Sequence, residues 1–229
     1  VFLGLNTTDV WLAAFDLDLI DIHDDGTFEI TFFNEKTVAA LEKAIALSYD
    51  ENGTFINKKD WRDVPKAFSE EKIAMTQLYF GETTESLGNM EAKYGILPLP
   101  KFDEAQENYS TAVHDSTTTL SIPITNIANR EATCAFLEAF AAESYRTVTD
   151  VYFSTLLKEK FARDQNVDAI FDIILDGVYF DFALLHSYAL DSVGQIFRTL
   201  ISKGNNNFVS EYQKKAESYD KLMEKLIEA

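Results

Sequence analysis

The stretch YGILPLPKFDEAQENYS, residues 94–110, decides how the rest of the chain is organised. It begins as an apolar run, meets Pro98 and Pro100, and then turns polar. Proline lacks the N–H that a strand ladder needs, and it drives the preceding residue to an extended conformation. We therefore expect a stiff, extended, non-helical segment, which suits a crossing between two bodies better than the interior of one.

The composition is that of a globular chain with an acidic surface. Of its 229 residues, 46% are apolar and 25% are charged, which argues against disorder. The formal net charge of -18 argues against nucleic acid and anionic membranes as partners. A solvated acidic surface explains this charge without any ligand. No apolar run reaches the ~18 residues that a membrane-spanning helix needs.

Residues that carry catalysis or bind metals show no recognisable spacing. The chain lacks GxSxG, HExxH, GxxxxGK[ST] and CxxC motifs. His23, His114 and His186 are far apart, and the single cysteine, Cys134, lies in a predicted helix without partners at catalytic spacing. Carboxylate pairs abound in so acidic a chain, so none can be singled out. We therefore predict no cofactor, no metal and no enzymatic activity.

Local patterns predict mixed strands and helices early in the chain, followed mostly by helices. Asp25-Gly26 between two apolar runs predicts a hairpin, and Asn34 is expected to cap a helix. Extended runs are predicted at residues 73–80, 112–124 and 178–182. Helices are predicted at residues 1–19, 35–51, 61–68, 82–93, 130–141, 149–157, 168–175, 189–203 and 208–226.

Aromatic residues at the ends of predicted elements are the best candidates for a ligand site. Tyr and Phe together number 28, and several stand beside polar residues, such as Tyr79-Phe80 and Tyr188. Aromatic faces beside carboxylates and amides suit sugars, whose C–H face stacks on the ring while the hydroxyls bind the polar groups. The alternative for each of them is an ordinary place in the core or at its rim.

Longer runs resemble a known family. YGILPLPKFDEAQENY, HDS, SIPIT, LEAFAAESYRTVTDVYF and KEKFARD follow one another. This series resembles the sugar-type extracellular solute-binding proteins of Gram-positive bacterial ABC importers, relatives of maltodextrin-binding protein. The resemblance extends from DDGTFEITFFNEKTVAALEKA to the end of the chain. The family usually has a Gly near the position of Glu71, and its absence here weakens the turn expected there.

The resemblance implies an α/β fold of two lobes joined by a hinge, with the ligand enclosed between them. The chain would then hold mainly the second lobe, with a helix-rich C-terminal half. Its implied parts are second-lobe residues 1–93, a hinge-crossing segment at 94–120, a first-lobe remnant at 121–146 and further second-lobe residues at 147–229. Most of the first lobe and the N-terminal lipoprotein anchor of an extracellular, cell-surface protein would lie outside this chain.

The implied function is the capture of a carbohydrate and its delivery to an ABC permease. The ligand-binding residues implied are Trp11, Tyr79, Phe80, His114, Asp115, Tyr188 and Asp191. The hinge residues implied are Pro98, Pro100, Tyr109 and Ser110. Two alternatives stay open, a glycan-active hydrolase and a structural or adhesive surface module without a small ligand.

The predicted helix at residues 130–141 carries an apolar stripe that needs a cover. Phe136, Leu137 and Phe140 lie at helical spacing, and burying each is worth roughly 1.5–3 kcal/mol. Because Pro98 and Pro100 are expected to direct the chain away from its own lobe, we expect a second copy of the chain to cover the stripe. Folding back onto the second lobe is the alternative.

Overall fold

The computed structural model describes residues 2–4, 8–57, 60–113, 120–149, 151–152 and 167–227. Within these ranges helices predominate, and the strands form three two-stranded sheets. The strands are β1 (Phe2–Gly4), β2 (Ile20–Ile22), β3 (Phe28–Ile30), β4 (Phe55–Asn57), β5 (Thr111–Ala112) and β6 (Val178–Tyr179). The helices are α1 (Val10–Ala14), α2 (Glu35–Ser48), α3 (Asp63–Ser69), α4 (Glu82–Glu85), α5 (Arg130–Ser144), α6 (Val167–Asp176), α7 (Phe182–Leu185), α8 (Gln195–Lys203), α9 (Phe208–Gln213) and α10 (Ala216–Ile227), with a π-helical turn at Tyr145–Thr149. The chain is thus a helix-rich α/β protein.

The sheets are short and differ in their pairing. β1 pairs with β4 in parallel, β2 pairs with β3 antiparallel, and β5 pairs with β6 in parallel. The β2–β3 pair confirms the predicted hairpin. Gly26 adopts a φ of +82° at its tip, a conformation that glycine takes without steric cost. The Asp25 carboxylate closes the turn by accepting the backbone N–H of Thr27 at 2.9 Å.

Helix α2 begins at the predicted cap. The side-chain oxygen of Asn34 accepts the backbone N–H of Thr37 at 2.8 Å, which satisfies one of the free donors at the helix start. Ala40, Leu41 and Ala44 are buried along the inner face, at the spacing of an amphipathic helix. The predicted helix is therefore confirmed, and it ends at Ser48.

One large hydrophobic core, called the main core below, joins the start of the chain to its C-terminal helices. Its largest fully buried side chains are Leu12, Leu19, Phe32, Leu41, Leu190, Phe197, Leu200, Phe208 and Tyr219. Trp11 is only 4% exposed, and its ring centroid lies 5.2 Å from that of Phe15. The Trp11 ring is therefore a packing element of α1.

The crossing segment is extended, as its prolines predict, but it remains on the main core. The Nζ of Lys43 lies 2.6 Å from the carbonyl oxygen of Phe102 and 3.8 Å from the centroid of its ring. The amide of Gln106 donates to the carbonyls of Ala14 and Asn108 at 3.0 and 2.9 Å and accepts the N–H of Phe102 at 2.8 Å. These contacts hold the segment against α1 and α2. The proline-containing residues themselves thus pack on the main core, while the expectation that they direct the striped helix at 130–141 away from it stays a prediction.

Several predicted elements are shorter than expected or lack regular structure. The predicted strand at 73–80 contains only an isolated bridge at Thr76, and the side chain of Met75 is exposed. The predicted helix at 82–93 ends at Glu85. Helix α8 begins late because Asp191 and Ser192, within the predicted helix, have φ of +47° and +55°, which a right-handed helix does not allow. The last predicted helix is divided into α9 and α10.

The described residues between β5 and β6, namely 113, 120–149, 151–152 and 167–177, contribute no side chain to the main core, and they are called the insert. The β5–β6 pair is the neck of the insert. Helix α5 lies in the insert, and none of its residues is buried. Phe136 and Phe140 are 65% and 56% exposed, with ring centroids 6.1 Å apart. The apolar stripe is thus open on this single chain, and its cover by a second copy stays a prediction.

We predict that Arg198→Lys lowers the free energy of unfolding by about 1–2 kcal/mol. Arg198 is half-buried, and its Nε donates to Oδ1 of Asp9 at 3.0 Å while Nη2 donates to Oδ2. Lysine keeps the charge but cannot form both bonds. The control is Arg62→Lys, whose side chain is exposed and lies 3.4 Å from Asp60. Urea denaturation at pH 7 measures both variants, and equal losses would show that the two-bond geometry does not matter.

Candidate functional site

A concavity of about 490 Å³ opens beside the irregular segments at residues 71–74 and 90–95. Its volume falls within the roughly 300–1,000 Å³ typical of small-molecule sites. The apolar side chains that line it include Phe68, Ile73, Met90 and Tyr94, and the charged ones are Glu71, Lys72 and Lys93. The lining exposes somewhat more polar than apolar surface, so it is more polar than the mostly apolar wall of a usual small-molecule site.

The aromatic wall of the concavity is held from two sides. The rings of Phe68, on α3, and Tyr94, on the crossing segment, meet edge to face, with centroids 5.6 Å apart and an interplanar angle of 83°. Tyr94 also belongs to a small cluster, formed by Phe80, Tyr94, Ile96, Tyr152 and Phe171, that is separate from the main core. Burial raises the pKa of Tyr94, and Tyr152 adds to the effect. The phenol therefore stays neutral and keeps its donor proton at physiological pH.

The rim of the concavity contains a strained turn at Glu71. The N–H of Glu71 donates to the carbonyl of Phe68 at 2.9 Å, and the N–H of Lys72 donates to that of Ala67 at 3.0 Å. This pair of bonds is the Schellman motif that closes many helices, and it requires a left-handed residue, usually glycine. Glu71 takes that conformation with a φ of +57°. The geometry agrees with the expectation that glycine would suit this turn better.

The predicted pair Tyr79-Phe80 lies next to the concavity without lining it. Phe80 belongs to the small cluster, with its ring centroid 5.9 Å from that of Phe171. Its carbonyl accepts the hydroxyl of Tyr152 at 3.3 Å. The carbonyl of Tyr79 accepts the N–H of Glu82 at the start of α4. Phe80 is thus linked to the aromatic wall through the small cluster it shares with Tyr94.

The other predicted ligand residues are spread over the molecule. Trp11 is enclosed in the main core, so its ring faces are not open to a ligand. Tyr188 is 100% exposed on the connection between α7 and α8. Asp191 lies on the same connection, where its carboxylate is 2.8 Å from the Nζ of Lys215 on the main-core side. His114 and Asp115 lie outside the described residues.

The predicted hinge residues divide between two places. Pro98 and Pro100 lie on the segment that packs along the main core, whereas Tyr109 and Ser110 directly precede β5 at the neck. Gly177 approaches this point so closely that a Cβ would lie 2.5 Å from the carbonyl oxygen of Tyr109. The neck is therefore tightly packed and depends on a glycine.

Within the described ranges, no group of three or more His, Cys, Asp and Glu residues is arranged to hold a metal ion. In the same part of the chain, no helix combines the length and the apolar character needed to cross a membrane.

Comparison with known proteins identified no relative. No protein-family model, no curated protein and no solved structure matches this chain.

Sequence reasoning missed most of the concavity. Met90 falls within the predicted helix at 82–93, and Ile73 begins the predicted extended run at 73–80, so neither pattern predicts a ligand site. Lys72 and Lys93 gave no signal, because lysines on an acidic chain are usually solvated surface residues. The only usable signal was Glu71, at a turn where glycine is expected.

We predict that Glu71→Gly raises the free energy of unfolding by about 0.5–1 kcal/mol, because it relieves the left-handed strain of a non-glycine residue. Part of the gain is offset by the greater freedom of glycine in the unfolded chain. Glu42→Gly, on the exposed face of α2, is the matched control and should lose about 0.5–1 kcal/mol. Urea titration measures both, and losses of similar size in the two variants would contradict a left-handed turn at Glu71.

Proposed function

We propose that the chain is part of the substrate-binding component of an ABC importer and that it captures a carbohydrate for delivery to a membrane permease. The sequence resemblance over residues 94–110 and 137–164 supports this proposal. The observation that carries it is the concavity of about 490 Å³ with an aromatic wall, because it lies directly beside the crossing segment. Binding rather than catalysis is the proposed activity.

The chemistry of the rim favours a neutral, hydroxyl-rich ligand. Glu71 offers acceptors, and Lys72 and Lys93 offer donors. Sugar hydroxyls act as donors and acceptors at once, whereas a simple anion or cation would use only one kind of group. The Nζ of Lys72 also lies 2.6 Å from the carboxylate of Glu70, which offsets its positive charge. Phe68 and Tyr94 supply the apolar surface on which a sugar ring stacks.

The path of the chain is compatible with two bodies. The described residues between β5 and β6 add no side chain to the main core, which fits a chain that visits a second lobe. In the proposal, the insert contains the first-lobe remnant and the neck is the hinge region. Closure of the two lobes over the ligand would present the loaded protein to the permease at the cell surface, where a lipid anchor outside this chain would hold it.

We predict that neutral oligosaccharides stabilise the chain against heat, and that at least one of them binds in calorimetry. A ligand at a hundredfold excess over its Kd stabilises by about 2.7 kcal/mol. Matched sugar phosphates serve as charged controls. Chromatography of the same mixtures detects hydrolysis, and product formation would replace the binding proposal with the hydrolase alternative. Absence of any shift across the panel would favour a module without a small ligand.

We predict that Phe68→Ala weakens binding of that oligosaccharide about tenfold, because it removes a ring from the wall of the concavity. The matched control is Phe33→Ala, which removes a more exposed ring that stacks on Tyr212 at 4.8 Å and lies outside the concavity. The control should bind as the unaltered chain does. Calorimetry compares the two, and unaltered affinity in Phe68→Ala would place the ligand elsewhere.

A further inference from the structure

The hydroxyl of Tyr179 lies between two carboxylates at the neck of the insert. Its oxygen is 3.0 Å from Oδ1 of Asp18 and 3.1 Å from Oδ2 of Asp181. Tyr179 lies on β6, and Asp18 lies on the connection between α1 and β2. Asp181 caps α7, with Oδ1 accepting the N–H of Leu184 at 2.7 Å. The three side chains therefore join the returning strand of the neck to the main-core side of the molecule.

The hydroxyl of Tyr179 contacts two carboxylate oxygens but has only one proton to donate. A phenol has one proton, so it can donate to only one carboxylate at a time. When it donates to Asp18, its oxygen and Oδ2 of Asp181 are two acceptors 3.1 Å apart with no proton between them. One proton added to Oδ2 of Asp181 would donate to the phenol oxygen and complete a chain of two hydrogen bonds. The cap on α7 would be unaffected, because it uses Oδ1.

The surroundings of Asp181 favour that added proton. Burial raises its pKa, and the nearby Asp18 carboxylate acts in the same direction. The N–H groups of Leu184 and Ala183 and the phenol of Tyr179 act against these effects. Asp18 and Tyr179 are the titratable groups from neighbouring elements that act on Asp181. Burial together with the two carboxylates raises the pKa of Tyr179 far above its usual range, so the phenol keeps its own proton.

We propose that Asp18, Tyr179 and Asp181 form a proton-dependent tie at the neck of the insert, complete when Asp181 is protonated and weakened when it is ionised. The backbone of Tyr179 is itself part of the neck, because the N–H of Val113 donates to the carbonyl of Tyr179 at 3.3 Å. A complete tie therefore stabilises the β5–β6 pair, and a weakened tie lets it open more readily. The tie acts at the neck whether or not the concavity binds a sugar.

The direction of the pH effect follows from linkage. A carboxyl whose pKa is higher in the folded protein binds more protons there than in the unfolded chain. Its contribution is fully present below the ordinary Asp pKa of about 3.9 and is lost as the pH rises through the raised value. The neck should therefore be held most firmly below the ordinary Asp pKa and loosen as the pH rises through the raised pKa of Asp181.

Hydrogen exchange measured by mass spectrometry between pH 3 and pH 8 tests the tie. After correction for intrinsic exchange, we expect protection at residues 109–113 and 177–184 to fall about fivefold as the pH rises, the equivalent of one net hydrogen bond. Asp181→Asn should keep the cap through its side-chain oxygen and donate to the phenol at every pH, so its protection should stay high and flat. Tyr179→Phe should show low protection already at acid pH, because without the phenol hydroxyl no tie can form.

Two controls separate the tie from other effects. Gly177→Ala should loosen the neck sterically at every pH and keep the slope of the unaltered chain, because the three tie residues remain. Protection in α2 serves as the internal reference for global unfolding. A flat profile in the unaltered chain, a slope that persists in Asp181→Asn, or an equal slope in α2 would each overturn the proposal.

Discussion

The contact between the first twenty residues of the chain and its C-terminal helices is the constraint on which the rest of the structure depends. Leu12 and Leu19 share the main core with Phe197 and Phe208, and Asp9 pairs with Arg198, 189 positions away. Burying these apolar side chains is the main favourable term, and it must outweigh the entropy of closing so long a loop. Once the ends are joined, every intervening segment must either pack on this body or extend from it and return.

Features with a local chemical cause could be predicted from the sequence. The hairpin at Asp25-Gly26 and the cap at Asn34 depend on residues two or three positions apart, so their signals are complete within a short window. The extended form of the crossing segment follows from its prolines in the same way. The hydrogen bond by which Gln106 holds that segment on the main core could not be predicted, because the acceptor, the carbonyl of Ala14, is 92 positions away.

Features that depend on distant partners were missed or misassigned. The apolar run at 73–80 has the composition of a buried strand but lies half-exposed, since composition does not show which neighbours cover it. The parallel pairing of β1 with β4 joins segments some fifty residues apart and has no local signal. The same reason applies to the concavity, whose wall combines α3 with the crossing segment. Trp11 is the opposite case, because it is predicted to bind a ligand but is buried in the main core. An aromatic side chain that suits a sugar suits a core equally well.

The position of the insert between two neighbouring strands has a consequence for how such a chain can change over time. None of the side chains in the main core comes from the described residues of the insert. Loop length enters the cost of closure only logarithmically, so the body tolerates lengthening, shortening or exchange of the whole insert at little cost. The neck and the small cluster are the two places where a replacement would have to match the body. The molecule thus combines a packed frame with an exchangeable outer module, and recombination at the neck would give the same body a different outer part.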